Sequence, residues 1–147
     1  MIRITIVAVL AAAAAACGAG AHAPTQSTRP PDAEIVTAAG LHTLTLGSYC
    51  WSARTKTGGV AACADGAGPA HIPDLRVVRV DRGAVVVVRF GFTPTEAVAA
   101  TIGKRRYRLA AAATVRLRVD DPGLLTLDPR RGQDDVEYFA RIVTHAS

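Results

Sequence analysis

Thr114-Val115-Arg116-Leu117-Arg118-Val119 decides the reading of the fold. Val115, Leu117 and Val119 alternate with Arg116 and Arg118. An extended chain therefore sets three apolar side chains on one face and two arginines on the other, the period of a half-buried strand. The same period recurs outward from this stretch. Tyr107 and Leu109 alternate with Arg106 and Arg108, and Leu44 and Leu46 alternate with Thr43 and Thr45. Val136, Tyr138, Ala140 and Ile142 alternate with Glu137, Phe139, Arg141 and Val143. No stretch shows sustained helical spacing apart from an apolar run at the start.

Turn residues fall between these runs. Asp81-Arg82-Gly83 joins 75–80 to 84–92 and reads as a hairpin with Gly83 at the positive-φ position. Gly103-Lys104 separates 97–102 from 105–109, and Asp120-Asp121-Pro122-Gly123 separates 114–119 from 124–127. A segment with Pro129 and Gly132 precedes the last strand. With 35–37 and 41–51, this makes about eight short strands at about ten-residue spacing, which predicts an all-β fold, an antiparallel immunoglobulin-like β-sandwich over 34–147. A small barrel is the alternative. The aromatic residues are Tyr49, Trp51, Phe90, Phe92, Tyr107, Tyr138 and Phe139, so the core must be built mainly from Val, Leu and Ile. A domain of this size buries about two-thirds of the unfolded chain's surface, enough to fold alone.

The chain opens Met1-Ile2-Arg3, continues apolar through Ala16, and then reads Cys17-Gly18. A short positive start, an apolar run and small residues before a cut are the parts of an export signal. At about a dozen residues the run is too short for the roughly 20 that span a membrane. Ala14-Ala15-Ala16-Cys17 resembles the lipobox of bacterial lipoproteins, with alanine at position 14 where that motif favours leucine. The resemblance implies a signal peptide over 1–16 and lipidation of Cys17. Acyl chains add about 0.8 kcal/mol per buried methylene, so two chains hold firmly to a membrane. Ala21-His22-Ala23 offers ordinary cleavage as the competing outcome. Residues 17–33, rich in Gly, Ala, Pro, Ser and Thr, read as a flexible linker that ends at the stiff Pro30-Pro31.

Setting Cys17 aside leaves Cys50 and Cys63, and export permits disulfides. Their pairing closes a loop of about 14 residues and is worth roughly 3 kcal/mol; a metal site or a reactive thiol are the alternatives. The formal charge is +5, one less once Arg3 leaves with the signal, and nearly all of the positive charge is arginine. Such a surface suits anionic lipid heads or an anionic wall polymer; a GC-rich genome that favours arginine and alanine is the plainer explanation. An extracytoplasmic address argues against nucleic acid as a partner.

A more specific likeness is carried by Gly47-Ser48-Tyr49-Cys50-Trp51. It lies after a proline-rich lead-in, and Ala62-Cys63-Ala64-Asp65 and Gly68-Pro69 follow it. Together with the closing run Asp134-Asp135-Val136-Glu137-Tyr138-Phe139-Ala140-Arg141-Ile142, this resembles a group of Gram-positive, actinobacterial lipoproteins. The alanine-rich middle strands and the insertion between the cysteines depart from that pattern. No activity is established for the group, so the resemblance implies none.

Candidate chemistry is thin. If Cys50 faces inward, Tyr49 and Trp51 face outward, where they would stack on a sugar or grip a peptide. Alternatively they pack over the loop 52–62, or a bulge at Gly47 turns Trp51 onto the disulfide. His22, His42, His71 and His145 are scattered, and His71 with Asp74 supplies too few ligands for a metal. Asp120-Asp121 and Asp134-Asp135 sit in turns, where aspartate caps its own backbone. Ser48 and Ser52 have no positioned base, and no phosphate-cradling loop is present. The expectation is a non-enzymatic module without a cofactor, held by its lipid on the outer face of the cell membrane and acting on an envelope protein or a wall polymer. A secreted, unanchored domain that inhibits or recognises an extracellular protein or glycan is the alternative.

Overall fold

The computed structural model describes residues 27–55 and 57–145. The signal peptide, Cys17 and the first part of the linker lie outside the described residues. The elements are β1 (Ala33–Thr37), β2 (Gly40–Thr43), β3 (Thr45–Thr55), β4 (Gly58–Ala64), a 3₁₀ turn (Pro69–His71), β5 (Val77–Asp81), β6 (Ala84–Phe90), β7 (Val98–Ile102), β8 (Arg105–Leu109), β9 (Thr114–Val119), β10 (Gly123–Asp128), β11 (Arg130–Arg131) and β12 (Asp134–His145). They form two packed sheets, so the all-β sandwich expected from the alternation is the fold. The smaller sheet runs β2-β1-β6-β9 and the larger β4-β3-β12-β10-β7-β8, with β5 and β11 also paired to β12.

The alternation explains the packing. In β9, Val115, Leu117 and Val119 are buried while Thr114, Arg116 and Arg118 are exposed. With Ile35 of β1 and Val86, Val88 and Phe90 of β6, they form the small sheet's inner face. Ile102, Leu125, Leu127, Val136, Tyr138 and Ile142 meet them from the large sheet. Each fully buried aliphatic side chain contributes about 1.5–3 kcal/mol relative to an exposed one.

Three connections differ from the sequence reading. Gly83 does take a positive φ, +80°, but Asp81-Arg82-Gly83 does not close a hairpin. β5 lies parallel to β12, with Val77 opposite Arg141, whereas β6 joins the small sheet between β1 and β9. Both strands present alternate valines to one core from opposite sides, so the connection crosses between the layers. The stretch 41–51 divides in the same way: Leu44 is buried and donates its N–H to the carbonyl of Ala33, between β2 in one sheet and β3 in the other. Residues 52–62 do not form a covering loop. β3 continues to Thr55 and β4 returns beside it, with Thr55 opposite Gly58 and Cys50 opposite Cys63.

A register shift separates the Tyr49–Val136 pair from the Leu46–Tyr138 pair. Gly47 and Ser48 together oppose Glu137, a bulge that aims the rest of β3. Glycine is required there because a Cβ at position 47 would lie 2.3 Å from the Phe139 ring. Phe139 is buried outside the main core cluster.

Candidate functional site

The disulfide joins Cys50 and Cys63, directly opposite each other in the β3–β4 pair with Cα atoms 4.0 Å apart. Cys63 is exposed and Cys50 half-buried, so the bridge lies on the outer side of the hairpin. Alternation along β3 then turns Tyr49, Trp51 and Ala53 inward.

Trp51 is only 3% exposed. Phe92 packs edge-on to it at 4.8 Å between centroids, and the Arg131 guanidinium carbon lies 3.9 Å from the ring centre. Arg131 Nη2 donates to Asp134 Oδ2 at 2.6 Å and to the Ser52 carbonyl at 2.9 Å. The other carboxylate oxygen of Asp134 accepts the Ser52 N–H at 2.9 Å and its hydroxyl at 2.7 Å. Burial pushes the Asp134 carboxyl up, but these hydrogen bonds and the arginine's charge outweigh it and hold it below the usual range. Tyr49 is half-buried and packs against the core. Trp51 offers no free face on the described surface and points away from the disulfide. The Pro30-Pro31 lead-in is part of the same packing: Pro30 is buried, and the Tyr138 hydroxyl donates to the Pro31 carbonyl.

A different concave surface has the chemistry of a recognition site. It is a groove of about 820 Å³ on the large sheet, lined in part by Glu137, Asp128, Ala99, Arg108, Arg130 and Tyr107. Strand register assembles it. Leu127 opposes Tyr138, so the next step of that antiparallel ladder brings Asp128 level with Glu137. Asp128 opposes Ala99, which in turn opposes Arg108. One transverse row thus runs carboxylate, carboxylate, alanine, arginine across β12, β10, β7 and β8. Three strand spacings separate its ends by about 14 Å.

Burial raises the Asp128 carboxyl above its ordinary range, the negative charge of Glu137 adds to the rise, and Arg130 opposes it. The phenol oxygen of Tyr107 is buried and has no hydrogen-bond partner among the described residues. Ala99 leaves the middle of the row open. The arrangement can accept a positive group between the two carboxylates and a negative group at Arg108.

Sequence reasoning missed this site because Glu137 is isolated in the chain and Asp128 borders a turn. The alternation of β12 and β10 put both on outer faces, but only the register made them neighbours. Cys17 lies outside the described residues. Among the described residues no three His, Cys, Asp or Glu side chains gather as metal ligands, and no helix is long and apolar enough to cross a membrane. No family model, curated protein or solved structure matches the chain.

Proposed function

We propose that this chain is a lipid-anchored, non-enzymatic binding module on the outer face of the cell membrane, and that its large-sheet groove recognises a charge-separated, peptide-like part of an envelope component. The carrying observation is the transverse row Glu137–Asp128–Ala99–Arg108, which places opposite charges about 14 Å apart on a paired sheet. Sites built on strands hold their groups more closely than sites built on loops. The Cys50–Cys63 disulfide accords with an oxidising compartment outside the cytoplasm. The Ala14-Ala15-Ala16-Cys17 stretch supplies the anchor in this reading.

Mild crosslinking in intact cells followed by pulldown tests the reading. Recovery of an envelope component that is lost in the Asp128→Asn and Arg108→Ala variants supports it. Equal recovery by both variants, or no envelope component under several conditions, counts against it. Detergent-phase partitioning separates anchored from secreted protein. Partitioning abolished by Cys17→Ser supports the anchor, whereas aqueous behaviour of both forms supports secretion after cleavage at Ala21-His22-Ala23.

A further inference from the structure

The large sheet ends at β4, and that edge differs from every other long edge of the sandwich. An open edge presents unpaired backbone N–H and C=O groups, which proteins defend with charge, proline or shortness. β8, at the opposite end of the same sheet, carries Arg105, Arg106 and Arg108. β9, an edge of the small sheet, carries Arg116 and Arg118, and β2 at its other edge has only four residues. β5 carries Arg79 and Asp81. β4 reads Gly58-Gly59-Val60-Ala61-Ala62-Cys63-Ala64, without a charge or a proline, and it is exposed along most of its length. Val60 is 44% exposed. The disulfide ties this strand to β3, so the open edge is held in register.

The direction of the free backbone groups follows from the pairing. A Cα separation of 4.0 Å marks Cys50 and Cys63 as a non-hydrogen-bonded pair. Gly59, Ala61 and Cys63 therefore turn their N–H and C=O groups away from β3, while Val60 and Ala62 use theirs in the β3–β4 ladder.

We propose that a second copy of this chain pairs here, β4 antiparallel to β4 about a two-fold axis at Ala61, forming a continuous sheet across the dimer. Ala61 then faces its own copy, and Gly59 faces Cys63 of the partner. All outward-turned groups are satisfied and no large side chain stands in the way. Charge selects this edge for a second copy. Self-pairing at β8 or β9 would set arginines against arginines, which is unfavourable when like charges lie directly opposite. β4 is the neutral long edge, and a closed two-fold contact needs only one self-complementary strand. Concentration on a membrane surface would favour the pairing.

The test is sedimentation velocity of the exported, processed chain in detergent over a wide concentration range. The wild type is expected to show a monomer–dimer equilibrium. Ala61→Lys and Ala61→Glu each place like charges across the axis and should weaken the dimer by on the order of tenfold. An equimolar mixture of the two should restore it as a heterodimer. Ala61→Pro removes an outward N–H without touching the β3–β4 ladder and should leave a folded monomer with its disulfide intact. A wild type monomeric at every concentration, variants that dimerise as wild type does, or charge variants that stay monomeric when mixed would each overturn the proposal.

Discussion

The Arg131 guanidinium caps the indole of Trp51 at 3.9 Å while its Nη2 holds Asp134 at 2.6 Å. The two contacts, with Asp134 returning to Ser52, fasten β3 to the turn between β11 and β12. The Gly47-Ser48-Tyr49-Cys50-Trp51 stretch accordingly spends its distinctive residues on architecture. Gly47 makes room for Phe139, Cys50 bridges to β4, and Trp51 fills the core beside Phe92.

Trp51 should therefore emit at short wavelength and resist aqueous quenchers. Trp51→Ala removes a buried aromatic and should cost about 3–5 kcal/mol, measured by urea denaturation. Red-shifted, readily quenched emission from the folded domain would return Trp51 to the surface.

Asp134 gives the fold an acid-sensitive contact. Its carboxyl is held below the usual range in the folded state, so the folded protein favours the ionised form more than the unfolded chain does. The resulting stability is present above the unfolded value of about 3.9 and is lost as pH falls through the lower folded value. Asp134→Asn should destabilise the domain at neutral pH by about 2–3 kcal/mol. As pH falls below the unfolded value of about 3.9 the difference from wild type should shrink. Thermal melts across pH check both statements.

Asp128 has the opposite sign. Its carboxyl is raised by burial and by Glu137, so its contribution to stability is full below the unfolded value and is lost as pH rises through the folded one. Asp128→Asn should modestly raise the melting temperature at neutral pH and lose that advantage in acid. It should weaken binding at the groove at the same time, the pattern of a site that trades stability for function. A neutral-pH melting temperature below wild type would show that the carboxylate is structural.

The disulfide closes a 13-residue separation. Cys50→Ser should cost roughly 3 kcal/mol, and the Cys50→Ser, Cys63→Ser double variant should cost no more than the single one. A double variant of wild-type stability would mean that the β3–β4 hairpin holds without its bridge.

Strands with one wet and one dry face were legible because alternation records that asymmetry directly, as in Val115, Leu117 and Val119. Alternation does not say which sheet a strand joins. Gly83 and the Asp120-Asp121-Pro122-Gly123 turn carry the same residues whether the chain doubles back or crosses between layers, so the 81–83 connection was misread as a hairpin. β4 escaped notice because a strand exposed along its length has no apolar face to alternate, and its Gly, Ala and Val residues read as loop. Counting cysteines was sufficient for the bridge. The inward aim of Trp51 depended on the phase of β3, set by the Gly47–Ser48 bulge and by the outward position of Cys50. The groove was illegible because Asp128 and Glu137 meet through hydrogen-bonded register alone.

Intact-mass analysis of the protein extracted from isolated membranes tests the central claim most directly. The expected product begins at Cys17 carrying diacylglycerol, with Cys50 and Cys63 oxidised to each other. A chain that retains Met1, carries no lipid and has free thiols at 50 and 63 would contradict it.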